Sequence, residues 1–231
     1  MPTVDFYVTP NEMRTVWLKQ LSTSDESALA PVCAAATRYI ESYCNRRFWT
    51  TTGDETKSFD VQGVRGVYSA THYYGHQTFD PHMDIASVTT LNLAESSIKA
   101  TSGTYATIST GDYYLQPSDR PDDWPAQYIA LTDEYSGTYN SSAPFMWFMP
   151  GMRTVQIVGK FGWNTTSIDS TTFPQEIRPV AAEIAAYLWR SRESGFSNLS
   201  GVNEVGLVST PRVLSRWSQD ILDRFRRVTS R

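Results

Sequence analysis

Apolar residues recur at intervals of three and four near both ends of the chain, and give way to a shorter period between them. Between residues 25 and 47 they fall at Leu29, Val32, Cys33, Ala36, Ile40, Tyr43 and Cys44. Those spacings put a stripe on one face of a helix. Pro31 stands near the start of this stripe and places the first turn around Ser27, because a helix tolerates proline best in its opening turn. A shorter helix over residues 11–21, with Met13, Val16 and Trp17 on its apolar face, precedes it. The helical period returns at Pro174 with Ile177, Val180, Ala181, Ile184 and Leu188, and Glu176 suits the positive end of the dipole. A last helix opens at Ser209, Thr210 and Pro211 and runs to about Val228, with Leu214, Trp217, Ile221, Phe225 and Val228 on one face.

Residues 48–163 read differently. They are rich in Thr, Tyr, Val and Ser, with turn signals at TTGDE, VQGVRG, TSGTY and STGDY. Strands are expected at ASVTTLNL, TYATIST, DYYLQP, QYIALTD and RTVQIVGKF. Short strands separated by turns form antiparallel sheets. The expected fold is therefore α+β, a small helical bundle with an inserted antiparallel β module. The expected parts are 1–47 (N-terminal helices), 48–165 (β module) and 166–231 (C-terminal helices completing the bundle).

Composition narrows the function classes. The 231 residues are 40% hydrophobic and 19% charged, a globular balance at a length that supports a core. The net charge of −4 argues against a general nucleic-acid-binding domain, which carries a basic excess. No apolar run approaches the roughly 18 residues of a membrane span, and no secretory signal is legible at the start. Cys33 and Cys44, on one helix, stand roughly 16 Å apart at 1.5 Å per residue, too far for a disulfide. They read as buried thiols of an intracellular protein.

Candidate chemistry is sparse. His72, His76 and His82 lie near Asp80 and Asp84 in THYYGHQTFDPHMD. The spacing of the first two shares a face only in a helix, whereas this stretch reads as turn and strand, so no metal site is assigned. No nucleophile elbow, zinc helix, phosphate loop or dinucleotide glycine pattern occurs, and neither a catalytic residue nor a cofactor is expected. The most apolar patch, APFMWFMPGM, holds Phe145, Met146, Trp147 and Phe148. It reads either as a strand buried on both faces or as a loop tip that inserts into a partner. The last helix is locally basic, with Arg212, Arg216, Arg224, Arg226, Arg227 and Arg231 against Asp220 and Asp223. This is either a solvated face with i,i+4 pairs or a surface that docks on acidic side chains. Residues 194–210, SGFSNLSGVNEVGLVST, lack a period and are long for an internal loop, which marks a functional or a disordered segment.

One junction ties these parts together. The first long helix ends in Tyr43-Cys44-Asn45-Arg46-Arg47-Phe48, where Arg46 and Arg47 meet the unpaired carbonyls and negative potential of a helix C-terminus. A strand ends in Gly159-Lys160-Phe161-Gly162-Trp163 and is followed by Pro174 and Ile177 opening an Ala-rich helix. In order, these motifs, with SVTTLNL and Tyr113-Tyr114-Leu115-Gln116-Pro117, resemble the head–tail connector (adaptor) proteins of tailed bacteriophages. The likeness spans most of the chain, but 71–84 and 143–152 have no counterpart in the compact members. It implies a structural virion protein without enzymatic activity, made in the bacterial cytoplasm and placed at the neck. It implies a dodecameric ring between the portal and the tail or next neck protein, with DNA passing through its lumen unbound. Portal docking is then expected of Arg212, Arg216, Trp217, Ile221, Arg224 and Phe225. A neck or subunit interface is expected of Phe145, Met146, Trp147, Phe148, Arg46 and Arg47. Rival readings are another neck protein, a stopper or tail terminator, and a β-sandwich carbohydrate-binding or hydrolytic protein. The last leaves the helical ends without a role.

Overall fold

A computed structural model describes residues 6–19, 21–50, 52–61, 78–94, 105–121, 124–132, 148, 151–163, 169–193 and 214–227, without the side chains of 151, 152 and 193. The helices are α1 (Pro10–Glu12), α2 (Glu26–Cys44), α3 (Ile177–Glu193) and α4 (Arg216–Phe225). Between α2 and α3 lie the strands β1 (Glu55–Val61), β2 (Thr78–Phe79), β3 (Ile85–Ala94), β4 (Tyr105–Ile108), β5 (Tyr113–Gln116), β6 (Tyr128–Leu131) and β7 (Gly151–Phe161). This is the α+β order expected from the periodicity, with helices at both ends and two antiparallel sheets between them. The chain divides into a helical unit, Met1–Arg46 with Ser167–Arg231, and a β unit, Arg47–Thr166.

In the helical unit, α2 buries Leu29, Cys33, Ala36, Thr37, Ile40 and Cys44 and packs against α3. Its start is set by Ser22 and Asp25. The Asp25 carboxylate accepts from the Ser22 backbone N–H at 2.9 Å and the Ser22 hydroxyl at 2.8 Å. A 3-10 turn at Thr23–Asp25 then leads into the helix, so Pro31 falls inside α2 rather than in its first turn. Proline there leaves the ladder one donor short. The helix stops at Asn45, which takes the left-handed conformation (φ 51°, ψ 40°), while the Arg46 N–H returns to the Glu41 carbonyl at 3.2 Å. Asparagine is one of the few residues that hold this cap at small cost.

Before α2, the chain differs from expectation. The helix anticipated over 11–21 is a single α turn that runs into a π-helical turn, Met13–Trp17. The wider turn buries Met13 but leaves Val16 53% and Trp17 43% exposed. Arg178 of α3 reaches Glu12 at 3.0 Å and Asp169 at 3.1 Å, tying this region to α3. The helix expected from Pro174 starts at Ile177 instead. Pro174 accepts the Ile177 N–H in a preceding turn, and Pro179 occupies the opening turn of the helix.

The β unit holds a four-stranded sheet, in the order β1-β7-β3-β4, and a three-stranded sheet, β2-β6-β5. All five strands read from the sequence are present, together with β1 and β2. One apolar cluster unites residues from both sheets, among them Leu91, Leu93, Val155, Ile157 and Phe161 from the larger and Phe79, Ile129 and Leu131 from the smaller. The backbone pairing of Ile85 with Ala126 fixes the sheets to each other.

Candidate functional site

The arginine junction is built inward. Arg47 Nε donates to the Trp49 carbonyl at 3.2 Å, and Nη2 donates to Glu55 at 3.2 Å and to the Phe161 carbonyl. Its guanidinium lies 4.4 Å from the Trp49 ring centre, and the Trp163 N–H returns to the Arg47 carbonyl at 2.9 Å. Phe48 and Trp124 pack on the Trp163 ring at 5.4 and 5.2 Å. Gly162 makes this closure possible. Its φ is +113°, and a β-carbon there would stand 2.1 Å from the Trp49 carbonyl oxygen. The two ends of the β unit are thus clasped to each other, as closing a long excursion requires.

Arg46 and Arg47, expected at a neck or subunit interface, are held within the chain's own packing. Arg46 is 8% exposed, and Arg47 donates to Trp49, Glu55 and Phe161 of the β unit. The carbonyl of Cys44, expected to face the arginines, accepts the Arg227 N–H at 2.8 Å. Phe148 belongs to the β core and is fully buried. Phe145, Met146 and Trp147 lie outside the described residues, as do His72, His76, Arg212, Val228 and the segment 194–210.

The terminal helix is rotated from its expected face. Ser215 caps α4, its hydroxyl accepting from the Ser218 N–H, so the helix starts at Arg216 and not at 211. Glu183 of α3 accepts from the Ser215 N–H at 2.7 Å, from the Ser215 hydroxyl at 3.1 Å, and from the Ser218 hydroxyl. A carboxylate at a helix N-terminus is favoured by the orphan N–H groups and the dipole. With Ser218 drawn inward, Ile221 (2% exposed) and Leu222 are buried and Trp217 is 54% exposed. At the other end Tyr43 donates to Asp223 at 2.8 Å, which raises the Tyr43 pKa. Arg216 and Arg224 are exposed and Phe225 is half-buried. Ile221 therefore cannot contact a partner while α4 stays docked.

Two further surfaces stand out. A groove of about 470 Å³ lies between the π turn and the end of α3, lined by Val16, Trp17, Leu18, Lys19, Leu21, Trp189 and Arg190. Sequence periodicity missed it because Val16 and Trp17 fit a buried stripe as well as an exposed one. On the β unit, Tyr114 and Tyr128 are exposed. Register pairs Tyr114 with Ala130 and Gln116 with Tyr128, so both rings stand on the outer face of the smaller sheet.

Cys33 and Cys44 are buried free thiols, and His82 sits in a turn. Burial pushes both thiols up to about 12, and Cys44 Sγ donates to the Leu222 carbonyl at 3.6 Å. His82, at φ +57°, donates its N–H to Asp80 at 2.6 Å in a tight turn. Among the described residues no group of three His, Cys, Asp or Glu is placed to hold a metal, and no helix is long and apolar enough to cross a membrane.

No protein-family model matches the sequence, and neither does any curated protein. The fold is similar to that of a chain in the neck of an empty GTA particle computed with C6 symmetry. The TM-score is 0.52 at 15% identity, over 97% of this chain and 91% of that one.

Proposed function

We propose that the chain is a structural neck protein of a tailed-phage-like particle, and within that class a head–tail connector (adaptor). The observation that carries this reading is the likeness to a neck chain over 97% of the length, helices and β unit together. The ordered junction motifs of the sequence point the same way independently. In this reading copies form a ring, which needs a heterologous contact that closes by rotation. The sixfold symmetry of the similar neck is compatible with a ring of twelve. The ring sits between the portal and the tail or next neck protein in the virion and continues the DNA channel. It performs no covalent chemistry, and many weak contacts add through avidity. The exposed side chains of α4, Arg216, Trp217 and Arg224, with Arg212 before it, are the ones offered to the portal.

The test is to mix the protein with purified portal and read stoichiometry by native mass spectrometry and symmetry by image averaging. A twelve-copy layer on the portal is expected. A chain that ignores the portal but binds a portal already carrying its connector is a stopper. One that binds the free end of a tail is a terminator.

A further inference from the structure

We infer that the Trp17–Trp189 groove of one copy receives the Tyr114–Tyr128 face of the next copy, which rests on the ring reading above. The groove presents exposed apolar surface, Val16 and Trp17, over a buried Trp189 floor. Its rim is basic. Lys19 and Arg190 are exposed, and among the described residues neither has an ion-pair partner. Arg192 adds a third cation, 5.2 Å from the Trp189 ring. Such a site fits an aromatic surface flanked by carboxylates.

The chain itself carries that surface. Tyr114 and Tyr128 stand diagonally across β5 and β6 on one outer sheet face, and Asp112 and Asp119 flank β5 in sequence. The nearby Arg120 does not cancel them freely, because its guanidinium donates to the carbonyls of Leu115, Pro117 and Trp124. Charge follows the same division. The β unit has seven basic and twelve acidic residues, a net −5, and the helical unit thirteen and twelve, a net +1. Two different, complementary patches on one chain give a head-to-tail contact, whereas groove against groove sets cation against cation.

The test uses the full chain, alone and with purified portal, followed by sedimentation velocity and native mass spectrometry. The Lys19→Glu/Arg190→Glu pair and the Asp112→Lys/Asp119→Lys pair should each raise the concentration for ring assembly by roughly tenfold or more. Combining all four should recover most of it, with far-ultraviolet dichroism unchanged throughout. Trp17→Ala and Tyr114→Ala should also weaken assembly. Rings that form normally in both charge pairs overturn the inference and leave the connector reading intact. Reversed pairs that weaken assembly additively, without recovery in the fourfold variant, also overturn it, as does a groove pair that loses only duplex DNA retention. A wild-type chain that forms no ring, even on portal, overturns both.

Discussion

Gly162 is where backbone geometry bears most directly on the β unit. Its positive φ and the 2.1 Å approach to the Trp49 carbonyl leave no room for a side chain. Gly162→Ala must either distort the clasp made by Arg47, Trp49 and Trp163 or hold alanine in a disfavoured conformation. A loss of about 3 kcal/mol is expected, read from urea unfolding. An unchanged midpoint would show that the clasp yields easily. The thiols offer a second measurement. Burial raises Cys33 and Cys44 from 9.0 to about 12, so between those values the unfolded chain has released protons that the folded chain keeps. Stability from this source is complete below pH 9 and is lost as pH rises towards 12. Tyr43, also raised, acts with the same sign at higher pH. Unfolding midpoints should therefore fall more steeply from pH 8 to 10.5 in the wild type than in Cys33→Ala/Cys44→Ala. A thiol reagent at pH 8 should label the unfolded protein and spare the folded one. Rapid labelling of the native state would contradict the burial.

The terminal helix separates stability from recognition. Leu222 is fully buried, and Leu222→Ala should cost about 3 kcal/mol through lost contact and an unfilled cavity. Trp217 is exposed, and Trp217→Ala should change stability by less than about 0.5 kcal/mol while weakening attachment to portal. If Trp217→Ala binds portal normally, α4 is a structural strut alone. Removing the helix outright is a poor test, since it also strips Ile221 and Leu222 from α2 and α3. The phase of this helix was not legible in the sequence, because hydropathy puts Trp217 inward and Ser218 outward. The deciding group is Glu183, on another helix, which satisfies the Ser218 hydroxyl in a buried position. The strand β1 was hidden for a related reason. Its half-buried positions include Glu55 and Lys57, where alternation calls for apolar residues. Lys57 manages this by laying its ammonium 4.6 Å from the Phe161 ring centre and 3.0 Å from Glu55. By contrast β3 to β7 carry β-branched and aromatic residues between turn signals, and α2 and α3 keep their stripes, so local pattern sufficed. The groove unites Trp17 and Trp189 from opposite ends of the chain, a proximity no local window contains.

In the proposed ring, charge distribution decides how DNA is treated. A channel that must let DNA slide is expected to present a neutral or acidic wall, since unpaired arginines would hold phosphates through counterion release. The net charge of −5 on the β unit is compatible with such a wall. The basic end of the helical unit is less available than its sequence implies. Arg227 is buried with its N–H on the Cys44 carbonyl, and Arg226 lies 5.8 Å from the Tyr43 ring centre. Arg216 and Arg224 remain on the exposed face of α4, next to the exposed carboxylates of Asp220 and Asp223. On α4 few phosphates can then be neutralised per copy, and Lys19, Arg190 and Arg192 are taken up by the proposed contact between copies. Assembled rings should bind duplex DNA weakly near physiological salt, with an affinity that falls with salt at a log–log slope of magnitude below about 2. A protein making six to ten phosphate contacts would instead show a slope of roughly 5 to 9. Fluorescence anisotropy of a labelled duplex against purified rings, from low to physiological salt, distinguishes the two. Tight binding with the steep slope would mean that a basic surface lines the channel after all.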